Sequence, residues 1–528
     1  MSLATSLVMS FDPRFHEAFA RLPDYLGNHV LVSVTALAIG LAISLPLAIL
    51  ATRHRYLQNA ILGFASVVQT IPGLALLALF YPLLLALSSL TEDVFGTGFS
   101  ALGFLPSVLA LALYSMLPVL RNTVTGILGI NPAVKEATLG AGMTPGQALA
   151  MVELPLALPV IMAGIRTAAV WVIGTATLAT PVGQTSLGNY IFTGLQTQNW
   201  VFVIFGCAAA AALALAVDQL LALMENGVSM RKRGSVLAGG AGIALIVAAA
   251  IAPVVARPEA AYVVGAKNFT EQYILESLIE GRLRAAGLTA TGRDGLGSSV
   301  IFDALKAGDI DVYVEYSGTL WANEMKRSEA KPREQVLAEV KKWLAEKYGI
   351  VMLGDLGFEN AYSLAMPRKK AEALGIKSIS DLARVAPRLS IAGDYEFFGR
   401  PEWKAIQSKY GLSFRERRVM QPEFMYPAAD NGEVDVISAY TSEGRVKQYD
   451  LVGLDDPQHA IPPYDAIVLL SPKRADDRKL INALKPLLGK IPIDLMREAN
   501  LRADGEGGKS STGQIANWLW QQIEKTKK

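Results

Sequence analysis

Six long apolar stretches occupy the first half of the chain, and each approaches or exceeds the length of a membrane-crossing helix. A membrane-crossing helix needs about 20 mostly apolar residues, so this pattern predicts an all-α transmembrane domain with about six spans. Pro72 and Gly73 interrupt the second stretch and predict a kink or a break there. The stretches run over about Val30–Leu50, Ile61–Leu87, Leu105–Leu120, Leu158–Thr180, Val201–Leu223 and Val236–Ala256.

Residues 1–28 precede the first stretch and do not have the pattern of a secretory signal peptide. Charged residues, among them Asp12, Arg14 and Glu17, interrupt the apolar positions, and no basic region precedes a clean apolar core. The pattern is typical of an amphipathic helix at a membrane surface. We therefore predict a separate N-terminal amphipathic segment over residues 1–28.

Basic clusters beside the apolar stretches predict the orientation of the spans. Arg53–Arg55 follows the first stretch, and Arg231–Arg233 lies between the fifth and the sixth. Positive residues concentrate on the cytoplasmic side, so the N-terminus is predicted outside and the third span ends inside at Arg121. The loop Asn131–Pro155 is then cytoplasmic, and the sixth span delivers the second half of the chain to the outer side.

The sixth apolar stretch allows two interpretations. A basic cluster, an apolar run and the small residues Val255 and Ala256 resemble an internal signal sequence with a cleavage site. The alternative is an uncleaved sixth transmembrane anchor followed by a linker, over residues 231–258. We favour the anchor.

The second half of the chain alternates strand and helix patterns. Strands are predicted at Ala261–Gly265, Asp311–Val314, Tyr362–Met366, Val434–Ser438 and Ala466–Leu470, with helices at Gln272–Ala285 and Lys331–Lys347. Such alternation is typical of an α/β fold with a largely parallel sheet. About 270 residues are enough for two such lobes with a cleft between them.

The density of charged residues rises where the sixth apolar stretch ends. Composition also excludes several classes of function. Only 19 of the 96 charged residues lie between Met1 and Ala256. The net charge of +2 argues against a nucleic-acid-binding protein. The single cysteine, Cys207, excludes an intrachain disulfide and thiolate metal clusters. The four histidines show no metal-binding spacing, and no nucleophile motif is present, so neither a metal site nor an enzyme is predicted.

The predicted cytoplasmic loop contains a motif with regular spacing. Glu136, Ala137 and Thr138 are followed after three residues by Gly142, and after nine more by Val152-Glu153-Leu154-Pro155. This spacing resembles the EAA loop of ABC-importer permeases, with Thr138 in place of the second alanine. The resemblance implies a helix–turn–helix knob, over residues 133–158, that contacts a separate cytoplasmic ATPase subunit. The ATPase-coupling residues it implies are Glu136, Ala137, Gly142, Leu154 and Pro155.

Five blocks of the second half together resemble the substrate-binding proteins of osmoprotectant importers. Those proteins take up glycine betaine, choline and carnitine, and a related fused form serves ergothioneine. The resemblance implies a fused permease and binding protein, with the soluble domain at residues 259–528 and its second lobe at roughly 365–462. The blocks are Gly265–Gln272 (GAKNFTEQ), Asp311–Thr319 (DVYVEYSGT), Phe358–Met366 (FENAYSLAM), Val434–Asp450 (VDVISAYTSEGRVKQYD) and Pro462–Asp465 (PPYD).

The same resemblance implies the ligand-binding residues. A quaternary ammonium is recognised by aromatic faces, at about 0.5–2 kcal/mol for each face. Gln272 and Thr319 are implied as ligands of a carboxylate, and the neighbouring Asn268 and Ser317 are weaker candidates. No ligand contact is assigned in Asp394–Arg400. Three roles stay open for Arg445: pairing with a carboxylate, a surface position, or bridging the lobes. The implied aromatic residues are Tyr316, Tyr362, Tyr440 and Tyr464.

These observations predict one subunit of an ABC importer in a bacterial inner membrane, with residues 29–230 as the permease. The expected solute is a quaternary-ammonium or betaine compound. By resemblance, two such chains and two ATPase subunits form the working unit, and ATP binds to the partner, so this chain needs no cofactor. The alternatives are an importer for ergothioneine or another small solute, and a membrane-anchored receptor that does not transport.

Overall fold

The fold was analysed in a computed structural model that describes residues 13–95, 99–196, 199–256, 261–327, 329, 331–504 and 510–525. The chain divides into two compact units. One consists of helices of the first half, and the other contains the α/β fold of the second half together with short pieces of the first. Residues 1–12 of the predicted N-terminal segment and residues 257–260 of the predicted linker lie outside the described residues.

Six helices of the described residues are long and apolar enough to cross a membrane, which matches the predicted number of spans. Helices of this kind satisfy every backbone hydrogen bond internally, as a lipid environment requires. The helices of the first half are Pro13–Ala51, Arg55–Thr70, Gly73–Phe95, Phe104–Leu128, Pro132–Gly140, Pro145–Ala148, Leu154–Ala176, Gly188–Gln196, Trp200–Ser229 and Arg233–Val255.

The first helix corrects the predicted boundary at residue 28. Pro13–Ala51 is one continuous helix, so the amphipathic segment and the first span are not separate elements. Gly27 does not break the helix but allows a close approach to the helix Arg233–Val255. A Cβ atom at Gly27 would lie 2.3 Å from the side chain of Val254. Close packing through glycine is common between membrane helices.

The break predicted at Pro72 and Gly73 is confirmed, and the end of the third span differs from the prediction. The second apolar stretch is broken into Arg55–Thr70 and Gly73–Phe95, because Pro72 lacks a backbone N–H and cannot continue the first of these helices. The third helix does not end at Arg121 but continues to Leu128. Arg121 is exposed on it, and hydropathy alone cannot locate the end of a helix that continues into a polar environment.

The α/β unit contains two five-stranded sheets, one in each lobe. The first has the order β2-β1-β3-β10-β4 and the second the order β7-β6-β8-β5-β9. In the first lobe the strands are β1 Tyr262–Lys267, β2 Ala290–Leu296, β3 Val312–Tyr316, β4 Val351–Glu359 and β10 Asp465–Leu470. In the second lobe they are β5 Tyr362–Pro367, β6 Ser390–Gly393, β7 Glu416–Val419, β8 Val436–Tyr440 and β9 Leu451–Gly453.

Helices cover both sheets and complete the two lobes. The longer ones are Thr270–Ala285, Ser298–Ala307, Arg333–Tyr348, Pro401–Tyr410, Pro422–Asp430, Ile493–Asp504 and Thr512–Lys525. Shorter helical segments lie at Ser317–Thr319, Leu320–Glu324, Arg368–Leu374, Ile379–Val385, Ala386–Arg388, Tyr395–Gly399, Arg445–Gln448, Pro472–Arg474, Arg478–Leu484 and Lys485–Leu487. The second lobe begins slightly before the predicted residue 365, since β5 already starts at Tyr362.

Both sheets are mixed, which corrects the expectation of a largely parallel sheet. β1 pairs in parallel with β2 and β3, but β10 is antiparallel to β3 and β4. In the second lobe β6 pairs in parallel with β7 and β8, whereas β5 is antiparallel to β8 and β9. The physical reason is the connection between lobes. β5 and β10 each start where the chain crosses over, beside the ends of β8 and β3, and therefore run in the opposite direction.

Candidate functional site

The ends of the strands that meet between the lobes form a cleft. Tyr316 ends β3 and Tyr440 ends β8, whereas Tyr362 begins β5 and Tyr464 directly precedes β10. Tyr362 and Tyr440 are opposite each other in the ladder of the second sheet. All four tyrosines line one cavity of about 110 Å³. The fold thus brings the four predicted tyrosines together from distant parts of the chain.

Aromatic rings make up much of the cleft wall. The ring centres of Tyr362 and Tyr440 are 4.8 Å apart, and the ring of Tyr464 stands edge-on to Tyr362 at 5.8 Å. Phe269 stacks between Tyr316, at 6.1 Å, and Tyr440, at 6.4 Å. Phe269 was not predicted, although it lies inside the matched block Gly265–Gln272 beside Asn268. This aromatic wall can surround a cation that has no hydrogen atoms to donate.

Buried hydrogen bonds orient the hydroxyl groups of these tyrosines. Tyr316 donates to Oε1 of Glu271 at 2.6 Å, Tyr440 donates to the hydroxyl of Tyr362 at 3.3 Å, and Tyr464 donates to Oε1 of Glu402. Burial, reinforced by these carboxylates, raises the pKa of Tyr316 and Tyr464 well above the usual range. Both therefore stay protonated and act as donors.

Two of the residues implied as ligand contacts do not line the cleft. The amide of Gln272 is buried and donates through Nε2 to the carbonyl of Val314 and to the hydroxyl of Tyr316, each at 3.0 Å. Ser317 is buried and donates to the carbonyl of Pro463 at 3.0 Å. Gln272 positions Tyr316, and Ser317 ties β3 to the crossover that precedes β10. Thr319 and Asn268, by contrast, line the cleft.

Arg400 lies in the cleft, although the sequence suggested no ligand contact in Asp394–Arg400. Its guanidinium carbon lies 5.3 Å from the centre of the Tyr362 ring, and Nη2 is paired with Glu396. Its Nε and Nη1 atoms are buried and have no hydrogen-bond partner among the described residues. Unpaired buried donors are costly, so these two N–H groups mark a place for an anionic acceptor.

None of the five motif blocks contains Arg400, because this residue reaches the cleft from a different element. Arg400 lies between the short helix Tyr395–Gly399 and the helix Pro401–Tyr410. A second cation, Lys267, also lines the cleft, but its ammonium is buried against the carboxylate of Glu315. Lys267 is therefore neutralised, and Arg400 is the better candidate for an anion.

A polar network joins the two lobes beside the aromatic wall. Asn500 donates to Oε2 of Glu271 and to the carbonyl of Ser442, each at 2.9 Å, and Asn360 donates to Oε1 of Glu271 at 3.1 Å. Burial raises the pKa of Glu271, although hydrogen bonds from Ser442, Tyr316 and Asn500 oppose the shift. The oxygens Oδ1 of Asn360 and Asn500 are buried and have no hydrogen-bond partner among the described residues.

Arg445 bridges the lobes, which is one of the roles left open for it, and it also lines the cleft. Its guanidinium is buried and pairs with Glu443 at 2.5 Å and with Asp504 at 3.5 Å. Asp504 also accepts a hydrogen bond from Thr270 at 2.7 Å. Burial is the main reason that the pKa of Asp504 rises from 3.8 to about 7.

We expect this raised pKa to make the stability of the protein depend on pH through Asp504. The folded chain binds this proton more tightly than the unfolded chain, so the stabilisation is complete below about pH 4 and is lost as the pH rises through 7. The variant Asp504→Asn cannot titrate. Between pH 5 and pH 8 the melting temperature of the unchanged full chain should therefore fall by several degrees more than that of the variant, at about 2–4 °C per kcal/mol.

The control for this comparison is Asp494→Asn, because Asp494 begins the same helix and its side chain is 88% exposed. Its melting curve should follow that of the unchanged chain at both pH values. An equal pH dependence of the unchanged chain and Asp504→Asn would contradict the assignment.

The loop between the third and fourth apolar stretches has the predicted helix–turn–helix form. The helix Pro132–Gly140 is followed by Gly142, whose φ is +73°, and by a second helical turn, Pro145–Ala148, with a capping box at Thr144 and Gln147. Five residues of π-helix, Leu149–Glu153, continue into the next helix.

The predicted coupling residues occupy both sides of this turn. Glu136, Ala137, Gly142 and Pro155 are exposed, and Leu154 is half-buried. Leu139 is also exposed, at 71%. At the base of the loop, Arg53 pairs with the buried carboxylate of Glu153 at 2.9 Å. An exposed surface of this kind is suited to contact with another subunit.

Two family models match successive parts of the chain. Residues 44–230 match the binding-protein-dependent transport system inner membrane component. Residues 260–521 match the substrate binding domain of ABC-type glycine betaine transport systems. The boundary between the two matches coincides with the change in composition found in the sequence.

Relatives that match both parts of the chain, or only its membrane part, are transport proteins. The ergothioneine transport permease/ergothioneine binding protein of Helicobacter pylori (strain G27) is 28% identical over 465 residues, which are 84% of this chain and 80% of the relative. The glycine betaine/carnitine/choline transport system permease protein of Bacillus subtilis (strain 168) is 40% identical over 203 residues, 38% of this chain and 86% of the relative. A crystal structure of a glycine betaine/carnitine/choline ABC transporter, 24% identical, covers 50% of this chain and 98% of its own, with a TM-score of 0.45.

Proposed function

The chain belongs to the binding-protein-dependent ABC transport permeases and carries a substrate-binding domain of the glycine betaine type, and from this we propose that it imports a betaine. It is an inner-membrane component of an ABC importer. In the proposal, the α/β unit captures a solute with a trimethylammonium group and a carboxylate, and the helical unit forms part of the path through the membrane.

The pairing of the aromatic wall with Arg400 is the observation that carries this proposal. The ring centres of Tyr440 and Tyr464 each lie within 6 Å of the ring centre of Tyr362, and such an aromatic cluster suits a trimethylammonium group. Nε and Nη1 of Arg400, which have no hydrogen-bond partner among the described residues, lie in the same cleft and suit a carboxylate. Both ends of a betaine therefore have a matching group in one cavity.

The exposed loop between the third and fourth spans supports the proposed role of the helical unit in transport. We infer that Glu136, Ala137, Gly142, Leu154 and Pro155 contact a separate cytoplasmic ATPase, which binds and hydrolyses the ATP that drives uptake. Two copies of this chain with two ATPase subunits would form the complete importer. In that arrangement the chain itself needs no cofactor, because the energy enters through its partner.

Ergothioneine is a second candidate solute, and a specific observation favours it. Ergothioneine is a betaine that also carries an imidazolethione ring with N–H groups. The buried oxygens Oδ1 of Asn360 and Asn500 lack a donor among the described residues and line the same cleft. A relative that covers both parts of the chain is an ergothioneine transport and binding protein. Glycine betaine and choline have no such ring, so these two oxygens distinguish the candidates.

Calorimetry on the full chain in detergent tests the proposal directly. We would titrate glycine betaine, carnitine, choline and ergothioneine, with unmethylated glycine and histidine as controls. We expect dissociation constants in the micromolar range, which correspond to about −8 kcal/mol, for at least one methylated ligand and no binding of its unmethylated control. Binding of none of the four by the folded chain would contradict the betaine assignment and leave the permease assignment intact.

A variant of one tyrosine shows whether the bound ligand occupies the aromatic wall. Tyr440→Ala removes one ring and should weaken the binding of the preferred ligand by about tenfold or more, since a ring face contributes up to about 2 kcal/mol. Tyr440→Phe keeps the ring and loses only the 3.3 Å hydrogen bond to Tyr362, so it should stay within about threefold. Equal losses in both variants would place the ligand elsewhere.

A further inference from the structure

Glu402 is a buried carboxylate directly behind one tyrosine of the cleft. Only 2% of the residue is exposed, and its Oε1 accepts the hydrogen bond from the hydroxyl of Tyr464. Its other oxygen, Oε2, is buried and has no hydrogen-bond partner in the part of the chain that the structure describes. Burying a carboxylate with so few partners is costly, so a role in the site is a reason for its presence.

Glu402 occupies a position in its helix that suits an anion. It lies in the first turn of the ten-residue helix Pro401–Tyr410. The N-terminal end of a helix carries a partial positive charge and stabilises an anion there. The helix therefore favours a carboxylate at this position, directly behind the ring of Tyr464.

A carboxylate that accepts the hydrogen bond of a tyrosine changes how the ring interacts with a cation. The bond polarises the phenol and increases the electron density on the ring, whose faces are already negative. The cation is then attracted both to the ring face and, through a poorly screened interior, to the carboxylate charge. A neutral group of the same shape gains nothing from either effect.

Charged groups of both signs line the cleft. The guanidinium of Arg400 repels a ligand cation, whereas Lys267 is neutralised by Glu315. The carboxylate of Glu271, behind Tyr316, also accepts hydrogen bonds from Asn360 and Asn500, so its charge is shared among several donors. Glu402, by contrast, has Tyr464 as its hydrogen-bond partner among the described residues.

We propose that Glu402 is a specificity-determining residue that acts through Tyr464 to favour a quaternary ammonium over an uncharged group of equal shape. This inference rests on the proposed betaine-binding function and adds to it the origin of charge selectivity. Glu402 does not touch the ligand itself. Its effect is on how strongly the ring of Tyr464 attracts the trimethylammonium group.

A pair of ligands with the same shape and different charge tests this proposal. Glycine betaine and 3,3-dimethylbutanoate differ only in the nitrogen or carbon at the centre of the three methyl groups. Binding of both to the full chain is measured by calorimetry, with competition for the weaker ligand. In Glu402→Gln we expect glycine betaine to bind about tenfold more weakly, a change within the range of cation–π energies, and 3,3-dimethylbutanoate to bind within about twofold of the unchanged chain.

The background variant Tyr464→Phe provides an independent readout. If the carboxylate acts through the hydroxyl, Glu402→Gln should weaken glycine betaine binding by less than about twofold in this background. This comparison needs only glycine betaine. It therefore tests the role of Glu402 even when the unchanged chain does not bind 3,3-dimethylbutanoate. Glu276→Gln is the matched control, because Glu276 is a buried carboxylate of the same domain that does not line the cleft, and it should leave the ratio of the two affinities unchanged.

The outcomes separate this proposal from the proposed function. Equal weakening of both ligands in Glu402→Gln, or an unchanged affinity for glycine betaine, would overturn the role of Glu402 while betaine binding stands. If the unchanged chain binds no trimethylammonium compound in the panel, the betaine-binding function itself is wrong, and this inference fails with it.

Discussion

Replacing Arg400 by glutamine should weaken the binding of glycine betaine by about 10- to 150-fold and leave choline almost unaffected. A hydrogen bond to a charged group contributes about 1.5–3 kcal/mol. Nε and Nη1 of Arg400 have no partner in the part of the chain that the structure describes, and a ligand carboxylate would satisfy both. Choline has the same trimethylammonium group but a hydroxyl in place of the carboxylate. It therefore uses the aromatic wall and gains no ion pair with Arg400.

Choline affinity in this variant should stay within about threefold or increase. In the described conformation the guanidinium of Arg400 lies 5.3 Å from the centre of the Tyr362 ring, where a ligand cation would also bind. Removing the guanidinium makes that ring face available and removes a repelling charge. Only the affinity for glycine betaine should therefore fall strongly, a difference that a general loss of structure cannot produce.

Calorimetry on the full chain measures both affinities, with Arg388→Gln as the matched control. Arg388 carries the same charge in the same lobe, but it is exposed and does not line the cleft. Its replacement should change neither affinity. Equal losses for glycine betaine and choline in Arg400→Gln would show that Arg400 supports the cleft and does not bind a carboxylate.

Replacing Gly142 by valine should reduce solute uptake at least tenfold without changing solute binding. Gly142 has a φ of +73°, and its N–H donates to the carbonyl of Leu139 at 2.9 Å. A residue with a Cβ atom loses about 1–2 kcal/mol in this left-handed conformation, and a β-branched residue more. We expect the turn to open and the helical turn Pro145–Ala148 to lose its position on the ATPase.

The measurement is uptake of the solute by cells that express the chain with its ATPase, together with calorimetry on the purified chain. Gly140→Val is the control, since Gly140 ends the preceding helix and a Cβ atom there meets nothing within 4 Å. Its uptake should stay close to that of the unchanged chain. Normal uptake by Gly142→Val would contradict the assignment of this turn to energy coupling, and weaker binding would show that the substitution disturbs the whole protein.

Much of the architecture was predictable because it depends on local properties of the sequence. A membrane requires a continuous apolar length, so hydropathy predicted six spans, and Pro72 marked the break in the second stretch. Periodicity predicted β1, β3, β5, β8, β10 and two helices of the second half to within a few residues, and it did not indicate the other five strands. The motif blocks indicated Tyr316, Tyr362, Tyr440 and Tyr464, and all four line one cleft.

The sequence alone determined the class of the protein, its two parts and the residues that belong to recurring motifs. The tertiary structure decided which side chains enter the cleft. Arg400 and Phe269 enter it, whereas Gln272 turns inward to hold Tyr316. The tertiary structure also decided that β10 runs antiparallel to β3 and β4. The physical reason is common to all of these cases: the cleft is built where the ends of strands distant in sequence meet, so each side chain's partners depend on the chain crossing twice between lobes.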